Sequence, residues 1–319
     1  MKPKIIIILT FFLLFKLSCF AQIKNAYFFK FSGREVNQMD SADYFRVISE
    51  PDSGSTIYNI KEYYKDNSKK LIGKTSKPDA VVLEGQCVTF YKSGKKESVA
   101  NYQNGKRIGD EYTYYPNGKL DVHRQNVTGE NNSGDRNLII DCRDSTGKVF
   151  VENGNGTYEG YDHDFKKIIE EGPVKDGAKN GTWKGEVGDH GNFVEEYDNG
   201  NLKTGKFTDE HNQVYTYTVR EAQPQFPGGL QAFGEYLGRN IQYPYSARMN
   251  HTQGKVLVSF VVERDGSLTD VKVKESPSTT LSGEAVRIVE NSPNWIPGYQ
   301  YGRKVRVSYV VPINFSLGR

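Results

Sequence analysis

Residues 102–120 read YQNGKRIGDEYTYYPNGKL, in which two aromatic-rich segments each run into an Asn-Gly-Lys sequence. Asn and Gly accept the positive φ angles that tight hairpins need, so Asn104-Gly105 and Asn117-Gly118 each predict a turn between antiparallel strands. Tyrosines on such strands stack along one face of the sheet. The stretch therefore predicts β structure built from short hairpins.

Looser copies of this unit extend from about Tyr27 to Phe207. The glycines of the clearest turns are spaced by about 11–13 residues or twice that, and they are Gly94, Gly105, Gly118, Gly177 and Gly200. One hairpin buries too little apolar surface to fold alone, so several have to stack. We predict a β-meander of hairpin repeats over residues 22–219, with degraded copies in residues 22–80. The region resembles the MORN-type repeat family, which implies a scaffold with protein- or lipid-facing surfaces.

The composition is that of a folded protein: 319 residues, of which 36% are hydrophobic, 25% charged and 13% aromatic. The length predicts about two domains. Lys2, Lys4 and Lys16 account for the formal net charge of +3, so residues 22–319 carry 39 basic and 39 acidic side chains. Phosphate binding needs a concentrated positive field, and a net charge of zero therefore argues against a nucleic-acid partner.

The N-terminus has the three parts of a secretory signal peptide. Two lysines precede an apolar run from Ile5 to Phe15, and small residues at Cys19 and Ala21 mark a cleavage site. We predict a signal peptide over residues 1–21 and a periplasmic protein. Two alternatives stay open at this stage, an uncleaved anchor in the inner membrane that faces the periplasm and a lipid attached to Cys19.

Two cysteines remain after the signal peptide, Cys87 and Cys142. In an oxidising compartment they could form a disulfide, and two separately buried thiols are the equal alternative. They do not form a CxxC motif, so the sequence does not indicate redox chemistry.

The last hundred residues change character and predict an α+β domain, residues 220–319. A helical stripe of Leu230, Phe233, Tyr236 and Leu237 is followed by Gly238 as a stop signal. Val256 to Val262 alternates as a strand, Asp265-Gly266 is placed as a two-residue hairpin turn, and Leu268 to Lys274 returns as the second strand. A helix near Ser282 precedes the last strand, Val305 to Phe315. This pattern predicts a three-stranded antiparallel sheet with helices on one face.

Pro312 lies inside the last predicted strand. Proline cannot donate to a β-ladder and is largely confined to edge strands, so we predict that this strand is an edge. An open edge can receive a further strand from a peptide.

Residues 224–317 resemble the TonB C-terminal domain in the form that opens with FPGG. The matching segments are Phe226-Pro227-Gly228-Gly229, Tyr243-Pro244, Gly254-Lys255-Val256, Val261 to Gly266, Glu284-Ala285, Trp295-Ile296-Pro297-Gly298 and Val311-Pro312-Ile313-Asn314-Phe315. The resemblance implies a domain that grips the TonB-box peptide of a TonB-dependent outer-membrane receptor and supports transmembrane transport. The implied contact residues are Gln242, Tyr243, Pro244, Arg306, Ser308, Val310, Pro312 and Asn314. On this basis we expect that Tyr243→Ala or a charge reversal at Arg306 weakens peptide binding and barely changes thermal stability.

Two features depart from that family. Its transducers keep an N-terminal helix that meets an inner-membrane proton-channel complex, followed by a Pro-rich rod, whereas this chain has an apparent signal peptide and a repeat sheet. If the N-terminus is uncleaved, the proton-channel complex is an additional expected partner. If it is cleaved, the alternative function is a non-energised periplasmic scaffold that acts through the MORN-like repeats.

The sequence carries no pattern typical of catalysis. The five histidines show no HExxH or paired spacing, and neither Glu170-Glu171 nor Glu195-Glu196 forms an acid/base pair because neighbours in a strand point to opposite faces. We therefore predict no enzyme activity and no catalytic, cofactor or metal site.

Overall fold

The structure is a computed structural model that describes residues 25–129 and 135–317, so the signal peptide predicted for residues 1–21 lies outside the described residues. Within them the chain forms 24 strands and three α-helices, which confirms the prediction of a mostly β protein. The chain divides into two compact units, Met1–Trp183 with Asp198–Asn201, and Lys184–Tyr197 with Leu202–Arg319.

The strands up to the division are β1 (Asn25–Phe29), β2 (Glu35–Val36), β3 (Tyr44–Ser49), β4 (Tyr58–Tyr64), β5 (Lys69–Thr75), β6 (Leu83–Phe90), β7 (Lys96–Gln103), β8 (Lys106–Tyr114), β9 (Leu120–Val127), β10 (Arg136–Arg143), β11 (Val149–Glu152), β12 (Asn155–Tyr161), β13 (Ile168–Lys175), β14 (Ala178–Lys179) and β15 (Gly181–Glu186). From β3 to β14 each strand pairs antiparallel with the next, as in Val99↔Tyr112. This is a meander of hairpins, and its membership of the MORN-type family stays a proposal.

Two kinds of turn connect these hairpins. Asn104-Gly105 is a two-residue turn with φ angles of 51° and 77°, as the sequence predicts for Asn-Gly. The turn at Asn117-Gly118 is longer, because the Tyr115 and Lys119 backbones pair across it and Gly118 N–H donates to Tyr115 O at 2.7 Å. Asn-Gly pairs therefore mark turns of both lengths in this sheet.

Tyrosines at the start of the longer turns tie one hairpin to the next. Tyr64 Oη donates to Phe90 O at 2.9 Å, Tyr91 Oη to Tyr114 O at 2.6 Å, and Tyr115 Oη to Arg143 O at 2.9 Å. Each bond satisfies a strand-end carbonyl in the following hairpin. The same contact at three successive positions gives the sheet a regular connection that single hairpins lack.

Cys87 and Cys142 are two separate buried thiols, on β6 and β10. Burial raises the pKa of each thiol to about 11, so both stay protonated at neutral pH. Of the two arrangements that the sequence left open, a disulfide or two separately buried thiols, the structure has the separately buried thiols.

The elements of the second unit are β16 (Gly191–Asp198), β17 (Asn201–Asp209), β18 (Val214–Tyr217), β19 (Glu221–Ala222), α1 (Gly229–Asn240), α2 (Tyr245–Met249), β20 (Gly254–Val262), β21 (Leu268–Glu275), α3 (Thr279–Glu290), β22 (Gly298–Gln300), β23 (Arg303–Val305) and β24 (Val307–Phe315). The turn between β16 and β17, Asp198–Asn201, is assigned to the first unit. One antiparallel sheet has the order β21–β20–β24 and another the order β19–β22–β23. The inward side chains of β20, among them Val256 and Phe260, pack with Leu281 and Ile288 of α3 in one apolar core.

The two compact units divide near residue 183, and the domain boundary predicted at 219 stays a prediction. Tyr301, in the turn between β22 and β23, stacks on Phe193 at 5.8 Å and on Phe207 at 5.3 Å between ring centroids. Tyr217 meets the same ring edge-on at 5.8 Å. Because these aromatic contacts join β16–β18 to the C-terminal hairpin, the last repeat strands belong to the C-terminal unit.

Three local predictions in this unit are wrong. α1 continues through Gly238 to Asn240, because the Ile241 N–H still donates to Leu237 O at 2.9 Å. Asp265-Gly266 is part of a longer turn, closed by a bond from Glu263 N–H to Ser267 O at 2.9 Å. The last strand begins at Val307, since the preceding segment through Val305 pairs with β22 in the other sheet.

Candidate functional site

β24 lies at one edge of its sheet, and among the described residues β20 is its partner strand. Pro312 has no N–H, so it fits in the ladder only where its nitrogen points away from β20. Successive residues of a strand alternate in direction, which indicates that Ser308, Val310 and Asn314 also direct their backbone N–H and C=O groups to the open side. The side chains of these four residues are exposed, Val310 to 50%.

The opposite edge of the sheet is blunted. β21 carries exposed charges at Asp270, Lys272 and Lys274, and Asp270 has a φ of 53°, which bends the strand. β24, in contrast, has no charged residue from Val307 to Phe315. Of the two edges, β24 is the one suited to receive another strand.

The segment Gln242-Tyr243-Pro244 lies at the C-terminal end of β24. Tyr243 Oη donates to Thr252 O at 2.5 Å, and its ring meets the Phe315 ring edge-on at 5.9 Å. Gln242 N–H donates to a carboxylate oxygen of the buried Glu284 at 2.5 Å. The segment is therefore fixed by contacts inside the domain.

Glu284 also accepts two bonds from Arg287, at 2.7 and 2.8 Å. Burial alone would raise the pKa of this carboxyl, but the bonds from Arg287 and from Gln242 N–H hold the pKa below its ordinary value. Glu284 is thus a charged anchor between α3 and the segment before α2.

Arg306 is paired with two acidic side chains of its own domain, and its expected contact with a peptide stays a prediction. Its Nε lies 2.8 Å from Glu263 Oε1 and its Nη2 lies 3.1 Å from Asp270 Oδ2. The hydrogen bond that Arg306 donates to the Glu263 carboxylate is the main reason why the pKa of Arg306 is raised. Arg306 directly precedes the Val307↔Val262 pair, so the ladder itself brings it next to Glu263.

An apolar cleft beside β24 was not predicted from the sequence. It has a volume of about 350 Å³ and is lined by Phe226, Leu230, Trp295 and Tyr309 together with the segment from Gln223 to Gln225. Leu230 belongs to the predicted apolar stripe of α1 and lies in the first turn of the helix, yet it is 80% exposed. The sequence signal that could have indicated the cleft is the position of Leu230 directly after Gly228-Gly229.

The turn before α1 shapes this cleft. Gly228 has a φ of 84°, which favours glycine, and Gly229 N–H donates to Phe226 O at 2.7 Å. The Phe226 ring then packs on Phe233 at 5.2 Å and meets Trp295 edge-on at 5.8 Å. The FPGG sequence is therefore a turn that holds an aromatic ring at the floor of the cleft.

The comparisons with known proteins point to one family for this part of the chain. A family model described as the Gram-negative bacterial TonB protein C-terminal matches residues 239–317. The region resembles the TonB C-terminal domain. The match begins inside α1, so the FPGG turn, which the sequence comparison had included, lies outside it.

Two curated relatives, both named Protein TonB, come from Helicobacter pylori strains 26695 and J99. They are 31% identical over 114 residues and 32% identical over 113 residues, and each match covers 34% of this chain and 39% of the relative. The chain thus spans well under half the length of these relatives. The solution structure of the Helicobacter pylori TonB C-terminal domain is 26% identical, with 28% of this chain and 81% of that chain covered at a TM-score of 0.22.

Residues 25–129 and 135–317 hold no group of three His, Cys, Asp or Glu side chains that could ligate a metal ion. In that same part of the chain, none of the helices combines the length and the apolar character needed to span a bilayer.

We now expect Tyr243→Ala in the TonB-like domain to lower the free energy of unfolding by about 2 kcal/mol. The substitution removes a half-buried ring and leaves the carbonyl of Thr252 without its donor. Urea unfolding followed by circular dichroism measures the loss. Tyr245→Ala is the matched control, because that tyrosine is 77% exposed and should change stability by less than about 0.5 kcal/mol. Equal effects of the two variants would contradict a structural role for Tyr243.

Proposed function

We propose that the C-terminal domain captures an extended peptide from an outer-membrane receptor by adding it as a strand to β24, in a TonB-like coupling protein of the periplasm. The observation that carries this proposal is the open, uncharged edge of β24, whereas β21 at the opposite edge of the same sheet is blunted. The match of residues 239–317 to the TonB C-terminal family supports it.

Ser308, Val310 and Asn314 offer backbone N–H donors at this edge of the sheet, and the carbonyl groups that point to the same edge offer acceptors. Each net hydrogen bond contributes about 1 kcal/mol, and ordering the peptide offsets part of that sum. Strand addition alone therefore gives weak binding that is readily reversed. A protein that engages and releases receptors needs an interaction of this strength, and peptide side chains have to supply the specificity.

Val310→Pro tests the proposal, because it removes one donor on the open side and should leave the ladder with β20 intact. The ligands are synthetic 12-residue peptides from periplasm-facing segments of the outer-membrane receptors of the source organism. Fluorescence anisotropy measures their binding. We expect Val310→Pro to weaken binding about tenfold or more. Val310→Thr is the matched control, since it keeps the N–H and nearly the same shape. Unchanged binding by a folded Val310→Pro variant would contradict strand addition at β24.

The N-terminus decides whether the protein transmits energy. A cleaved chain that begins at Gln22 in the soluble periplasm would bind receptors without access to the proton gradient. A chain that begins at Met1 in the inner membrane would be able to contact the proton-channel complex. Mass spectrometry of the N-terminal peptide in the two fractions distinguishes the energised coupling protein from the scaffold.

A further inference from the structure

We infer that the apolar cleft beside β24 binds one large apolar side chain, aromatic or leucine-like, of the peptide that adds to this strand. The inference rests on the proposed strand addition and names a residue class that the peptide has to carry. Backbone pairing is the same for every peptide sequence, so it cannot distinguish one peptide from another. The cleft lies beside this edge and can bind a particular side chain, which would give specificity.

The position of Tyr309 connects the cleft to the edge. Tyr309 is a residue of β24, and its ring lies on the helix side of the sheet, 5.7 Å from Trp295 between centroids. A strand that pairs with β24 directs every second side chain to that same side. One of these side chains reaches the cleft, whose wall Tyr309 forms.

The lining determines which side chain fits. Trp295 and Phe226 form a floor that is 4% and 7% exposed, and Leu230 at the rim leaves 80% of its surface open. No lining residue is charged, and the polar side chains among them are Gln223, Gln225 and Tyr309. An acidic or basic peptide residue would lose water there without gaining an ionic partner, whereas an apolar residue gains from burial.

The cleft is held open by backbone contacts. Gln225 and Ile296 exchange two hydrogen bonds, at 3.0 and 2.8 Å, which fix the strand segment on one side. The bond from Gly229 N–H to Phe226 O fixes the start of α1 on the other side. Binding therefore needs little rearrangement, which favours a defined side-chain specificity.

The test is a double-mutant cycle between Leu230→Glu and the tightest of the receptor peptides described above, in which each large apolar residue is replaced by Ala in turn. We expect Leu230→Glu to weaken binding of the parent peptide by about tenfold to a hundredfold. One alanine-substituted peptide should bind the wild-type protein about tenfold to a hundredfold more weakly than the parent peptide does. Leu230→Glu should hardly weaken the binding of that peptide further. Met249→Glu is the matched control, because Met249 is 60% exposed on α2 and does not line the cleft.

The two proposals fail in different ways. If Val310→Pro weakens binding and Leu230→Glu has no more effect than Met249→Glu, the cleft inference is wrong and strand addition stands. If the effects of Leu230→Glu and of every peptide substitution simply add, the cleft does not contact the peptide. If Val310→Pro has no effect, strand addition and the inference that rests on it both fall.

Discussion

Replacing Glu195 with Ala should lower the free energy of unfolding of the C-terminal unit by about 3–5 kcal/mol. Glu195 is fully buried in β16 and accepts bonds from Arg220 Nε at 2.9 Å, Tyr217 Oη at 2.8 Å and Tyr197 Oη at 3.0 Å. Arg220 Nη2 donates to the same carboxylate. Removing the carboxylate leaves the guanidinium of Arg220 between aromatic rings without its main anionic partner.

The loss of stability in the Glu195→Ala variant should extend to the TonB-like domain. The guanidinium carbon of Arg220 lies 4.8 Å from the Phe193 ring centroid and 5.4 Å from that of Tyr301, so it links the last repeat strands to the β22–β23 hairpin. Hydrogen exchange measured by mass spectrometry over β20 and β24 reports this loss locally. Glu235→Ala is the control, because the Glu235–Arg239 pair on α1 is exposed and should contribute less than about 1 kcal/mol. Similar exchange in both variants would contradict the anchoring role of Glu195.

The same carboxylate makes stability depend on pH. Burial tends to raise the pKa of Glu195, but bonds from Arg220 and the tyrosines hold the pKa below its ordinary value of 4.5. The ionised group is therefore favoured in the folded state, so its contribution is complete above that ordinary value and is lost as the pH falls through the lower folded pKa. The pKa of Glu284 is also lowered in the folded state, so its contribution to stability is lost on acidification in the same way. A Glu195→Gln variant should consequently lose less stability than wild type on acidification.

Gly266→Ala should lower the free energy of unfolding by about 2–5 kcal/mol. Gly266 has a φ of 88°, and an added Cβ would lie 2.1 Å from the backbone oxygen of Trp295. Trp295 N–H also donates to Gly266 O at 2.8 Å, so the turn and the segment that carries Trp295 cannot separate without losing this bond. Both the backbone conformation and the close approach act against the methyl group.

Gly283→Ala is the matched control, with the opposite sign. Gly283 lies in α3, and an added Cβ would meet no atom within 4 Å. Alanine in a helix is more stable than glycine by up to about 1 kcal/mol, so this variant should gain stability. Urea unfolding of the two variants compares the positions directly. A tolerated Gly266→Ala would show that the turn can move away from Trp295, against the packing described above.

Patterns within a few residues predicted the element types well. The Asn104-Gly105 turn, the alternation of Val256 to Val262 and the edge position of Pro312 all follow from the φ preferences of Gly and Asn, the two-residue period of a strand and the missing N–H of proline. Prediction failed where a neighbour in space overrode the local signal. Val305 alternates in phase with β24, yet it pairs with Gly298 because the β22–β23 hairpin draws it into another sheet.

By itself the sequence determined a mostly β chain of hairpin turns, an α+β C-terminal region that resembles the TonB C-terminal domain and the uncharged last strand, because backbone preferences and side-chain period are local properties. Only the tertiary structure decided which distant groups meet. Glu195 accepts from Arg220, 25 residues away, and Arg306 donates to Glu263, 43 residues away. The cleft needs the FPGG turn, Trp295 and Tyr309 together. Such encounters depend on how whole strands and helices pack, and no short stretch of sequence encodes that packing.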